Sequence, residues 1–214
     1  GTLNDRLKPV KDAMKKSANW VDIVQTAWGK NINMIVSDCY KEGDMNNYLI
    51  YGLALTEVEL DILTGNSLIK RVDLLEDTGE SLSPYVDIGQ IEGAFVMCLG
   101  YWLSEQLLYD RQTGQLLTNR TWTYKPPGAK DIPIDFRIEM IQKYPNPGGF
   151  MRSKATGEPP CCLAVSVIFA LQHALQSARK DAGLKREWVR LGAPTTPEIL
   201  VLNAGSDINS FALQ

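Results

Sequence analysis

Histidine is nearly missing from this 214-residue chain: His173 is the only one. The four cysteines, Cys39, Cys98, Cys161 and Cys162, match neither a zinc nor an iron–sulfur ligand pattern. A metal held by protein ligands is therefore not expected. A Cys–His couple fails on distance, because Cys162 and His173 share one helical stretch and stand about 16 Å apart along it. Ser166 lies outside any Gly-x-Ser-x-Gly elbow, and Gly89, Gly93 and Gly100 are too loosely spaced for a dinucleotide fingerprint. A basic block is also lacking: 22 Lys and Arg against 25 Asp and Glu leave a net charge of −3, which argues against nucleic acid and anionic membranes as partners. No uninterrupted apolar run is long enough to span a membrane, since the one that starts at Cys161 stops at Gln172-His173. No secretory leader is visible at Gly1. Cys161 and Cys162 are adjacent on a helical stretch and poorly placed to bridge each other. The cysteines read as buried free thiols in a reducing, cytosolic setting.

What is present suffices for a sizeable core: 44% of residues are hydrophobic and 22% charged, which fits one domain, or one domain with a lobe. Leu3, Leu7, Val10 and Met14 recur at helical spacing, with Pro9 as a kink or a first-turn residue. Because Leu3 is already periodic, that helix is expected to begin before Gly1. Asn19 opens a second helix whose face is Trp20, Val21, Val24 and Trp28. Ile32–Tyr40 and Tyr48–Leu63 read as strands around a polar loop, Lys41–Asn47. In the second strand Val58, Leu60 and Ile62 alternate with Glu57, Glu59 and Asp61. Thr64-Gly65-Asn66 turns into a return strand, Leu68–Leu75. Ser83-Pro84 opens a helix striped by Ile88, Ile91, Phe95, Leu99 and Trp102. A short hairpin over Leu107–Thr118, an irregular stretch to Pro133, a strand over Ile134–Ile141 and a loop from Pro145 follow. A helix from Cys161 to about Asp181, stopped by Gly183, and a short element from Thr196 complete the chain. The fold class is α+β, with helices packed on a largely antiparallel sheet with hairpins. Residues 1–214 are read as one subdomain, with 204–214 as a loose tail.

Two polar residues occupy demanding positions. Glu158 follows Gly157, precedes Pro159-Pro160, and stands at the mouth of an apolar helix. It reads equally as a helix cap at the positive end of the dipole or as a general base whose pKa an enclosed pocket would raise. Gln90, after Asp87-Ile88-Gly89, reads equally as a helix-surface amide or as a ligand contact.

Several segments together resemble the C-terminal part of the molybdopterin-binding domain of the aldehyde oxidase and xanthine dehydrogenase family, the molybdenum hydroxylases. They are Tyr51-Gly52 with Val58–Gly65, Asp87-Ile88-Gly89-Gln90-Ile91-Glu92-Gly93-Ala94-Phe95, Tyr124-Lys125-Pro126-Pro127 with Ile132-Pro133-Ile134, and Ser153–Pro160. They stand in family order and cover nearly the whole chain; Thr121–Pro133 leans towards aldehyde oxidases. The resemblance implies that Glu158 is a general base, taking a proton from the water-derived oxygen that attacks an aldehyde or aromatic heterocycle. It also implies that Gln90 contacts the molybdopterin, that the Thr156 backbone lines the metal centre, and that Gly157 permits close approach. No protein ligand to molybdenum is implied, since the pterin dithiolene holds it.

The departures are as informative. The family's 2Fe-2S and FAD domains are absent, as are the segments that hold the rest of the pterin and the substrate. Cys98 stands where many relatives have glycine. The chain is therefore expected to be part of a longer or decayed protein, to share its cofactor with missing N-terminal segments, to be inactive alone, and to follow the family in forming a homodimer. A stand-alone non-catalytic module, kept for interaction or dimerisation, is the competing expectation. Apolar surface that normally meets the missing parts should be exposed.

Overall fold

The computed structural model describes residues 2–14, 17–39, 47–141, 144–184 and 188–205. The chain divides into two compact units, 1–45 and 46–214.

The first unit is a helical pair, α1 (Leu3–Ala13) and α2 (Trp20–Gly29). Each starts in a capping box. Thr2 accepts from the Asp5 amide while Asp5 accepts from the Thr2 amide, and Asn19 and Asp22 repeat the arrangement. Helix α1 thus begins at a cap rather than continuing upstream, and Pro9 lies inside it. Leu7, Val10 and Ala27 form the buried centre, with Ile23, Ile32 and Met34 around it. The face expected of α2 is turned out instead: Trp20, Val21 and Trp28 are exposed, because Ile23 and Ala27 are what α2 packs inward. Residues 32–39 are not a strand. Among the described residues no strand pairs with them, and Arg6 Nη1 donates to the carbonyls of Asn33 at 3.1 Å and Ile35 at 3.0 Å. The expected loop at Lys41–Asn47 falls outside the described residues except for Asn47.

The second unit is built on a three-stranded sheet in the order β1 (Gly52–Leu60), β2 (Ser67–Glu76), β3 (Asp135–Met140). Strands β1 and β2 form the expected antiparallel hairpin, whereas β3 runs parallel to β2, so the sheet is mixed. The parallel pairing follows from the long excursion through a helix between β2 and β3. Lys70 is the extra residue of a bulge between the pairs Glu57–Arg71 and Val58–Ile69. The bulge lets Ile69, Val72 and Leu74 all face inward despite their uneven spacing. Gly65, in the hairpin turn at φ +74°, lies so close to Pro197 that a Cβ would meet Pro197 O at 2.1 Å.

Four helices cover one face: α3 (Pro84–Leu103), α4 (Glu158–Leu163), α5 (Val165–Asp181) and α6 (Pro197–Ala204). The core joins Ile91, Phe95 and Leu99 of α3 to Val167, Ile168, Leu171 and Leu175 of α5 over Val72 and Leu74. Phe95 and Phe136 pack with ring centroids 5.2 Å apart. The expected single helix from Cys161 starts earlier, at Glu158, and is interrupted at Ala164, where Val167 N–H donates to Ala164 O at 3.2 Å. Taken as one, the 24 residues Glu158–Asp181 are long and apolar enough to cross a membrane by length and composition. Here their apolar stripe is spent on the sheet, and Ser166 meets Thr56 of β1 hydroxyl to hydroxyl at 2.7 Å.

The short hairpin expected at Leu107–Thr118 is present: Tyr109 bridges Leu116, Leu117 N–H donates to Leu108 O at 2.7 Å and Asp110 N–H donates to Gln115 O at 2.8 Å. Ala204 ends α6 and Gly205 caps it; the expected tail beyond that lies outside the described residues. The thiols are free but not buried as expected: Cys39 and Cys162 are exposed, Cys98 and Cys161 intermediate.

Truncating Phe95, fully buried against Phe136, should cost about 3–5 kcal/mol in urea unfolding. Phe169→Ala on the exposed side of α5 should stay within about 0.5 kcal/mol.

Candidate active site

The segment from Arg152 to Thr156 is a strap laid along the turn that follows β2. Lys154 N–H donates to Thr78 O at 3.0 Å, Glu80 N–H donates to Arg152 O at 2.9 Å, and Gly79 bridges Ser153. The approach is close enough that a Cβ on Gly79, at φ +63°, would meet Arg152 O at 2.8 Å. Met151 and Arg152 enter the strap with left-handed φ of 46° and 64°, a conformation that costs a non-glycine residue roughly 1–2 kcal/mol. The Arg152 carbonyl holds it, accepting from both Glu80 and Asn146 at 2.9 Å.

Side chains fasten the strap further. Lys154 pairs with Asp77 and also donates to Leu49 O at 2.7 Å; its side chain is 11% exposed and that of Asp77 6%. The Ala155 amide donates to the Tyr48 hydroxyl at 3.1 Å. Thr156, 7% exposed, donates through Oγ1 to Asp87 Oδ1 on α3 at 3.2 Å, and Ser81 donates to the other Asp87 oxygen.

This fastening brings the two candidate residues together. Asp87 lies one turn before Gln90 on α3, and Thr156 is two residues before Glu158. A Cβ placed on Gly157 would stand 3.4 Å from Gln90 Nε2. Gln90 is exposed, and among the described residues none pairs with its carboxamide. Glu158 is the first residue of α4 and also exposed. The result is a shelf open to solvent: an amide free to donate and accept, a bare glycine backbone and a carboxylate.

The remaining sequence candidates lie apart or act from behind. His173 is exposed on α5. Cys98 faces α4, and burial first, then its hydrogen bond with Cys161, pushes its thiol up to about 12. Cys161 Sγ donates weakly to Ala94 O at 3.8 Å and Gly157 O at 3.9 Å, so these thiols back the shelf rather than line it. A Cβ on Gly93 of α3 would meet nothing within 4 Å. A groove on the outer side of the sheet, lined by Tyr51, Leu75, Ile138 and Tyr144, contains neither Gln90 nor Glu158.

Residues 3–133 match the molybdopterin cofactor-binding domain family. The chain belongs to the molybdenum hydroxylases, as part of that domain. It is 38% identical over 215 residues to indole-3-acetaldehyde oxidase of Arabidopsis thaliana, covering 97% of this chain and 16% of the relative. It is likewise 38% identical over 208 residues to xanthine dehydrogenase/oxidase of Gallus gallus, covering 92% of this chain and 15% of the relative. Among solved structures, quinoline 2-oxidoreductase of Pseudomonas putida 86 superposes with a TM-score of 0.55 at 28% identity, over 69% of this chain and 17% of that one. The chain thus spans about one sixth of these molybdenum hydroxylases. The shelf fits a group such as molybdopterin in one respect that the side chains themselves display. An unpartnered carboxamide beside a glycine offers hydrogen bonds to a polar heterocycle lying close against the backbone.

Asp77, Lys154 and Asp87 were missed by sequence reasoning. Only the Asp-Ile-Gly-Gln and Ser-Lys-Ala-Thr-Gly-Glu segments as wholes contained Asp87 and Lys154, and no motif contained Asp77. Replacing Lys154 by Met strands a buried Asp77 carboxylate and should cost about 3–5 kcal/mol in denaturant unfolding.

Proposed function

We propose that this chain supplies one wall of the catalytic pocket of a molybdenum hydroxylase that oxidises aldehydes to carboxylic acids or hydroxylates N-heterocycles. The observation that carries this reading is the free Gln90 carboxamide beside Gly157, the residue before Glu158, where a Cβ on the glycine would stand 3.4 Å from Gln90 Nε2. Gln90 would hydrogen-bond the pterin, the Thr156–Gly157 backbone would lie against the cofactor, and Glu158 would serve as the general base. Molybdenum on its pterin dithiolene supplies the two-electron oxidising chemistry when bound.

Each side chain has a definable task. Glu158 accepts the proton of the water-derived nucleophile, which needs its carboxylate in the ionised state at the moment of attack. The Asp87–Thr156 hydrogen bond fixes the height of the Gly157 backbone against Gln90, so cofactor and base keep one spacing. Gly157 must lack a side chain because the cofactor uses that space. Both Gln90 and Glu158 are exposed in this chain, whereas a poised base needs an enclosed site. The remaining wall and the substrate-gripping side chains belong to the rest of the protein, together with the 2Fe-2S and FAD groups that carry electrons away. A homodimer is proposed on the family resemblance, and a cytoplasmic location on the free thiols.

In the full-length protein, Glu158→Gln should lower kcat at least about 10²-fold while molybdenum content stays at one per site. Retained turnover would remove Glu158 from the base role. Gly157 has φ −82° and ψ −44°, which alanine adopts readily, so Gly157→Ala should leave the melting temperature unchanged. Its methyl should nonetheless cut molybdenum content, as measured by metal analysis. Full molybdenum loading in that variant would move the cofactor away from this shelf.

A further inference from the structure

Glu76 ends β2 with its side chain fully buried, 0% exposed, and neither carboxyl oxygen has a hydrogen-bond partner among the described residues. The charged groups facing it are both acidic: Asp87 from α3 and Asp77 next along its own strand. Each is committed to the strap, Asp87 to Thr156 and Asp77 to Lys154. On the neighbouring strands Glu76 stands in register with Gly52 and Met140, and the Ile141 amide donates to its carbonyl at 2.8 Å. An ionised Glu76 would be dry, unpartnered and repelled by the two carboxylates that hold the strap in place.

We propose that Glu76 is a positioning residue that acts as the neutral acid: protonated, it lets Asp77 and Asp87 fasten Lys154 and Thr156, and on losing its proton it releases the strap that leads to Gly157 and Glu158. The link to catalysis rests on the function proposed above; the latch itself does not. Burial first, then Asp87 and Asp77, pushes the Glu76 carboxyl up to about 8. The bound proton favours the closed strap, so its advantage is complete below the ordinary carboxyl range and is lost as pH rises towards about 8. Opening that hydrates Glu76 should therefore become about tenfold easier per pH unit across that window and level off above it.

Hydrogen exchange on the chain tests this, read as protection factors of the Lys154 and Glu80 amides, which donate to Thr78 O and Arg152 O. The expected result is protection falling about tenfold per pH unit up to about 8 in the native sequence and staying flat in Glu76→Gln, which is neutral at every pH. A flat profile in the native sequence, or the same slope in Glu76→Gln, would overturn the proposal. Should Glu76→Gln not fold, carboxyl ¹³C NMR of the native chain decides. A Glu76 titration near 8 is the expected result, and a carboxylate already ionised at neutral pH contradicts it. Exchange is read without cofactor or substrate, so failure of the proposed activity would leave these slopes in place.

Discussion

Thr156 and Asp87 are 69 residues apart in sequence, and the hydrogen bond between them joins the strap to α3. On one side of it the strap carries Gly157 and Glu158; on the other, α3 carries Gln90 one turn further along. Helix α4 also packs on α3, with Cys161 Sγ donating to Ala94 O at 3.8 Å, and the Asp87–Thr156 bond adds a side-chain tie on the strap side of Gly157. The rest of the unit fixes the two ends. Helix α3 is held by Ile91, Phe95 and Leu99 in the core, and the strap by the Lys154–Asp77 pair and the amide exchange with Thr78–Glu80. Core packing thus sets where α3 lies, and buried polar contacts set where the strap lies relative to it.

Periodicity was enough to read the parts of the fold whose faces differ strongly in polarity. The β1–β2 hairpin, α3 and the stripe of α5 all follow from alternation or helical spacing in single segments. It was not enough where tertiary partners decide. The expected strand Ile32–Tyr40 finds no partner strand among the described residues, and Arg6 takes the Asn33 and Ile35 carbonyls. The outward tryptophans of α2 show the same limit, since Ile23 and Ala27 supply enough apolar contact to pack that helix. The parallel course of β3 and the break at Ala164 are likewise invisible to a local pattern.

For the site, Gln90 and Glu158 were legible only as segments resembling a family; as isolated residues each had an equally good surface role. What no local pattern contained was the support beneath them. Asp77, Asp87 and Lys154 look like ordinary surface charges in sequence, yet Asp77 and Lys154 are nearly buried and all three are spent on one strap. The exposure of Gln90, Glu158, Leu53 and Leu55 accords with a chain spanning about one sixth of its relatives.

A double-mutant cycle across the joint, with Asp87→Ala and Thr156→Val singly and together, tests the central claim most directly. Stability of each variant would be read by denaturant unfolding. The two substitutions should couple by about 0.5–3 kcal/mol, as expected for partners in one buried polar network. Additivity within about 0.3–0.5 kcal/mol would mean that the two residues do not hold each other, and that Gln90 and Glu158 owe their proximity to something else.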